Sequence, residues 1–186
     1  GDRWQGSEGP EIVYNAATGY YYLFMAYDAL EVPYNTRVCR SKNIYGPYLG
    51  IDGTDLTHTG GDMLPVVTHP YKFNGSYGWE NVAGNPYSNA LMMGHVRSIR
   101  WTESGWPVVM PERYGAVPQV AITEDELVGN WEHIDLSYSY GKQKESSTMT
   151  LAADHTITAG SWKGGTWSYN ADKQILTANG VELCLQ

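Results

Sequence analysis

Residues 11–27 read EIVYNAATGYYYLFMAY, two apolar and aromatic runs parted by Asn15, Thr18 and Gly19. A short β-prone run, a turn closing on glycine and a second aromatic run form a β-hairpin pattern, with strands expected at 12–14 and 20–27. Next, 36–41 (TRVCRS) reads as a third strand, with Arg37 and Arg40 outward and Val38 and Cys39 inward. Ile44-Tyr45-Gly46-Pro47-Tyr48 then turns the chain. Three antiparallel strands meandering through tight turns make the kind of four-stranded unit that β-propellers repeat.

Composition agrees with an all-β reading. Among 186 residues there are 21 Gly and 9 Pro, which break the chain into short segments better suited to strands than to long helices. Twelve Lys and Arg against 20 Asp and Glu give a formal net charge of −8, and no basic cluster interrupts that balance. Phosphate backbones and anionic membrane surfaces are therefore poor partners. No apolar run approaches the roughly 20 residues that span a bilayer, so a soluble protein is expected. Fifteen Tyr and seven Trp against two Phe favour rings with a polar handle, a chemistry shared by sugar sites, sandwich cores and protein interfaces.

Further along, 49–89 reads as mostly loop because glycines and prolines break every run. A second hairpin is expected from 90–101, a Glu103-Ser104-Gly105 turn and a return over 106–110. In it Val96, Ile99 and Trp101 are buried, and Arg97 and Arg100 face water or carboxylates. Residues 117–119 look like a linker, which sets a domain boundary near 120. Thr123 followed by Glu126 is a capping-box signature, so one helical turn to Val128 ended by Gly129 is expected. Beyond it, runs at 131–136, 147–151, 156–159, 165–169, 174–178 and 181–185 are separated by polar turns. That pattern argues a small β-barrel or sandwich.

Chemical motifs are sparse. The chain contains no Gly-rich phosphate loop, H-E-x-x-H, G-x-S-x-G or EF-hand loop. Cys39 and Cys184 lack metal spacing and read as buried free thiols. His58, His69, His95, His133 and His155 show no ligand spacing, so no metal site is assigned. One carboxylate stands out, in Ser7-Glu8-Gly9-Pro10-Glu11. Gly9 permits close backbone approach and Pro10 fixes the corner, so Glu8 is held rigidly at a strand opening, with Trp4 close by in sequence.

The segments Gly6-Ser7-Glu8-Gly9-Pro10-Glu11-Ile12, Gly19-Tyr20-Tyr21-Tyr22-Leu23-Phe24, Arg37-Val38-Cys39-Arg40-Ser41 and Gly46-Pro47-Tyr48-Leu49 resemble family 43 glycoside hydrolases. Asn89-Ala90-Leu91-Met92-Met93-Gly94-His95-Val96-Arg97 and the run from Ser104 to Val109 resemble the endo-α-1,5-arabinanase branch. The region after Gln119, with Gly129-Asn130-Trp131-Glu132 and Gly165-Thr166-Trp167-Ser168-Tyr169, resembles the barrel that follows the propeller in some arabinanases. The resemblance implies an all-β chain: blades of a five-bladed β-propeller over 1–119, then a small lipocalin-like β-barrel over 120–186.

It also implies an inverting hydrolase of α-1,5-linked arabinan or arabino-oligosaccharides. The family's E-G-P glutamate, the general acid, falls on Glu8, and Trp4 and Asp28 are candidate sugar contacts. Inverting enzymes need a second carboxylate as base, and in the family it precedes this motif. This chain alone is therefore expected to be a poor catalyst, with a preceding propeller portion as a possible partner chain. Calcium occurs in the complete family fold, but Trp79 runs straight into Glu80 where the metal-facing histidine segment would lie. No cofactor is carried over on that basis. An extracellular or periplasmic location follows from the family, although Gly1-Asp2-Arg3-Trp4 shows no signal-peptide pattern. The competing reading is a non-catalytic carbohydrate-binding or structural β module.

Overall fold

The computed structural model describes residues 7–27, 34–58, 61, 63–69, 72–73, 76–77, 96–110, 115, 120–135 and 145–185. These are strands and turns with a single turn of 3-10 helix, so the fold is all-β. They form two compact units, one holding the described residues up to 77 and the other those from 96 onward.

In the first unit β1 (Ser7–Asn15), β2 (Tyr20–Tyr27), β3 (Tyr34–Ser41) and β4 (Leu64–His69) make an antiparallel sheet in the order β1-β2-β3-β4. The β1–β2 turn follows from its residues. Asn15 Oδ1 accepts the Ala17 N–H at 2.9 Å, the Asn15 carbonyl accepts the Gly19 N–H at 2.8 Å, and Gly19 supplies the positive φ of 68° that closes the loop. The thiol of Cys39 is buried in this sheet, and burial pushes its pKa up to about 11.

One expectation is refined here and one corrected. The stretch 49–89, expected to be mostly loop, also supplies β4 and the short pair β5 (Lys72–Phe73) and β6 (Ser76–Tyr77). Pro65 hid β4 from the sequence. It is tolerated because β4 is an edge strand, where a missing N–H costs no ladder bond, and the register slips between Thr36 and Arg37 beside it. Arg37, however, does not face water: it is only 5% exposed. In an extended strand residues 37 and 40 point to opposite faces, so Arg37 shares its face with Asn35, Cys39 and Ser41, all buried.

The second unit opens with the hairpin of β7 (Ile99–Trp101) and β8 (Pro107–Val109), closed by the Thr102 N–H to Trp106 carbonyl bond at 2.9 Å and by Gly105 at φ 79°. Residues 90–95 of the expected strand lie outside the described residues. The burial expected of Val96 and Ile99 fails: both are exposed, Val96 at 71%, and Trp101 is half-buried. Trp106, Pro107 and Met110 face inward instead. The expected turn is a 3-10 turn, Glu124–Leu127, whose Glu126 carboxylate accepts from the Thr123 N–H (2.7 Å) and hydroxyl (2.8 Å).

Two three-stranded antiparallel sheets follow. One has the order β11-β10-β9, from β9 (Gly129–His133), β10 (Ser147–Leu151) and β11 (Ile157–Gly160). The other has the order β12-β13-β14, from β12 (Trp167–Asn170), β13 (Ile175–Ala178) and β14 (Val181–Cys184). The bridge Thr156–Thr166 joins their neighbouring ends. Leu127, Met149, Leu151, Ile157, Trp167, Leu176, Ala178 and Leu185 form the core. Gly160 is obligatory: at φ 87° a Cβ would stand 2.0 Å from the Thr148 carbonyl oxygen. No sheet among the described residues closes on itself.

Arg100 ties the hairpin to the second of these sheets. Its guanidinium donates to the carbonyls of Leu185 (2.7 Å), Gln174 (2.7 Å) and Lys173 (3.3 Å), not to carboxylates as expected. At the hairpin tip Ser104 gives its N–H and hydroxyl to Glu182, and Glu103 accepts from Asn170 Nδ2 at 2.6 Å.

Candidate functional site

Glu8 lies inside β1, opposite Ala26 of β2, and is exposed. Between Glu8 and Glu11 the register slips by one residue, a β-bulge at Gly9-Pro10. Gly9 adopts φ 58° with nothing within 4 Å of its Cβ position, so backbone conformation rather than crowding demands glycine there. Pro10 fits because β1 is the other edge strand. The E-G-P run therefore re-aims its carboxylate by a local twist within the strand, where a corner opening the strand was expected.

The other two expected sugar contacts, Trp4 and Asp28, lie outside the described residues. Asp28 directly follows Tyr27, the last residue of β2, and Tyr27 pairs with Ser7 on one side and Asn35 on the other. Ser7, Tyr27 and Asn35 thus form one cross-strand row, adjoining the row of Glu8, Ala26 and Thr36. Here the structure assembles polar groups that the sequence reading passed over. Asn35 is fully buried, its Oδ1 accepts the Arg37 Nε–H at 2.9 Å, and its Nδ2 donates to the Tyr27 carbonyl at 3.4 Å. The Arg37 guanidinium lies over the Tyr27 ring at 4.1 Å from its centroid. Strict alternation along YNTRVCRS was the signal that could have placed Arg37 beside Asn35.

Carboxylates elsewhere serve turns. Asp154 accepts from the Thr156 hydroxyl (2.6 Å) and N–H (3.1 Å), which lowers its pKa, and the Thr123 N–H and hydroxyl do the same for Glu126. His155 stacks on Trp167 with ring centroids 4.5 Å apart and approaches Glu124 at 3.3 Å, while His133 stacks on Trp162. Cys39 and Cys184 are free thiols, Cys39 buried and Cys184 half-buried. Among the described residues no group of three or more His, Cys, Asp or Glu is placed to hold a metal ion. Among the described residues no helix is long and apolar enough to cross a membrane.

Comparison with known proteins bears on the whole chain. Residues 111–183 match the family model described as a C-terminal lipocalin-like domain, GH43_C. The extracellular endo-α-(1→5)-L-arabinanase 2 of Bacillus subtilis is 27% identical over 84% of this chain and 42% of its own length. The crystal structure of endo-1,5-α-L-arabinanase from Thermotoga petrophila superposes with a TM-score of 0.67 at 23% identity, covering 92% of this chain and 45% of that one. A family 43 glycoside hydrolase from Bacillus licheniformis superposes at 0.64 and 23% identity, over 95% of this chain and 47% of its own. At that identity the structural likeness speaks for the fold. The chain spans less than half the length of each of these proteins. The chain is thus similar in sequence to extracellular endo-α-1,5-L-arabinanases, and its residues 111–183 match the model of a C-terminal lipocalin-like domain.

Proposed function

We propose that this chain is part of an extracellular inverting glycoside hydrolase that cuts α-1,5-linked arabinan, and that Glu8 is its general acid. In this reading the β1–β4 sheet is a blade of a five-bladed propeller occupying 1–119, and 120–186 is the small barrel. Trp4 and Asp28 contact the sugar. The observation that carries the proposal is the bulge at Gly9-Pro10: an E-G-P sequence held at positive φ on an edge strand, with its carboxylate exposed to an incoming ligand.

The chemistry follows from the carboxyl group. Protonated, Glu8 gives its proton to the glycosidic oxygen as the bond to the anomeric carbon breaks. A second carboxylate, roughly 6.5–9.5 Å away, takes a proton from the water that attacks the opposite face. That base comes from sequence outside this chain, so residues 1–186 alone turn over arabinan slowly or not at all. Each of the two roles is worth about 10²–10⁴-fold in rate.

Reducing-end release from linear arabinan tests this. In a polypeptide that carries this chain and cleaves arabinan, Glu8→Gln is expected to lower kcat by about 10²–10⁴-fold with binding retained. Undiminished turnover by that variant would sink the assignment and leave a carbohydrate-binding or structural role. Vigorous turnover by the isolated chain would remove the need for a base from elsewhere.

A further inference from the structure

We propose that Arg37 is a positioning residue for Glu8, acting through Tyr27 and Asn35, an inference that rests on the general-acid reading above. Two contacts of the Arg37 side chain lead to the strand row that borders the proposed acid. Its Nε–H donates to Asn35 Oδ1 at 2.9 Å, and its guanidinium covers the Tyr27 ring at 4.1 Å. Asn35 in turn donates to the Tyr27 carbonyl. Tyr27 pairs with Ser7, and Ser7 is the residue before Glu8.

The physical case has three parts. An arginine 5% exposed beside an asparagine 0% exposed is costly unless its geometry is fixed, so the pair makes a rigid block in the sheet. β1 is an edge strand among the described residues, exposed along most of its length and broken by a bulge immediately after Glu8. Between Glu8 and the bulge on one side and the end of β1 on the other, the Ser7–Tyr27–Asn35 row is the anchorage that the register supplies. Misplacing a reacting group by about 1 Å can cost on the order of 10²-fold in rate, so a loosened row is felt in kcat. Arg37 lies on the opposite face of the sheet from Glu8 and works by fixing backbone, without touching substrate.

The test uses the arabinan-cleaving polypeptide that carries this chain, with rates expressed per folded molecule from near-UV circular dichroism. Arg37→Met and Tyr27→Leu are each expected to lower kcat about 10–100-fold with KM changed less than about two-fold. Tyr27→Phe, which restores the ring beneath the guanidinium, recovers most of the rate. Because both residues act through one contact, the double variant Arg37→Met/Tyr27→Leu falls no further than either single. An unchanged kcat per folded molecule, a loss confined to KM, or additive losses would each overturn the proposal. If Arg37→Met does not fold, the Tyr27 pair decides alone. Glu8→Gln run alongside separates the two ideas: retained activity there refutes the general acid itself, whereas an inactive Glu8→Gln beside a normal Arg37→Met refutes only the positioning role.

Discussion

Replacing Arg100 by Met should melt the second unit early, and the size of the effect can be worked from its contacts. Two of its bonds, to Leu185 and Gln174, are 2.7 Å long and partly buried, and the third, to Lys173, is 3.3 Å and exposed. A hydrogen bond from a charged donor is worth about 1.5–3 kcal/mol, discounted here to about 1 for each short bond because Arg100 is half exposed, with little from the third. Stranding two carbonyls adds somewhat more, for a loss of about 2–3 kcal/mol. In a unit of this size that lowers the midpoint by about 10–20 °C. Five of the seven tryptophans, Trp101, Trp106, Trp131, Trp162 and Trp167, belong to this unit, so tryptophan fluorescence follows its transition. Arg100→Lys keeps the charge but not the fork and should recover only part of the loss. Amide exchange across 99–109 should rise in step with 173–185 in both variants. A midpoint within about 2 °C of the parent, or a hairpin that already exchanges at the unprotected rate, would refute the clamp.

Gly160→Ala should abolish folding of the same unit, because the new methyl would overlap the Thr148 carbonyl at a backbone angle that L residues avoid; a cooperative melt near the parent midpoint would contradict this. Stability should decline in acid: Glu126 and Asp154 have lowered pKa values when folded, so what they add is complete above the ordinary carboxylate range, near 4, and is lost as pH falls through their folded values. Glu126→Gln with Asp154→Asn should flatten that decline between about pH 5 and 3, as read from midpoints across the range. Cys39, pushed up to about 11 by burial, should resist iodoacetamide at pH 8 in the folded chain and react once denatured, with labelling counted by mass spectrometry.

Much of the fold was legible because local rules settle it. The hairpin around Asn15 and Gly19, the turn at Gly105 and the cap at Thr123–Glu126 are short-range devices, and each formed where its residues called for it. The strands after Gly129 followed their turn signals closely, although β9 spans Gly129–His133 where 131–136 was expected. What failed required knowledge of neighbours. β4 was masked by Pro65, harmless only because that strand lies at an edge, and Val96 and Ile99 stay exposed while Trp106 and Met110 are buried. Arg37 was misjudged by assuming that a charged side chain must seek water, against the two-residue period that puts it with Asn35. Arg100 finding carbonyls 73 to 85 residues away could not be read from sequence, since backbone acceptors carry no residue signature. Of the candidate site, the E-G-P segment was recognisable by motif, but its bulge and its flanking Arg37–Tyr27–Asn35 block were not.

Every sheet among the described residues pairs strands with their immediate successors or predecessors along the chain. Such neighbour-by-neighbour pairing closes only short loops, so each sheet can be completed as its residues leave the ribosome, before the next has been made. The β7–β8 hairpin's own fastenings are the exception: Glu103, Ser104 and Arg100 emerge early, then have to wait for Asn170, Gln174, Glu182 and finally Leu185 to be synthesised before they have anything to grip. During translation the hairpin that bears them should therefore remain unfastened until the last strand arrives, and the second unit should gain its full resistance to unfolding in a single late step.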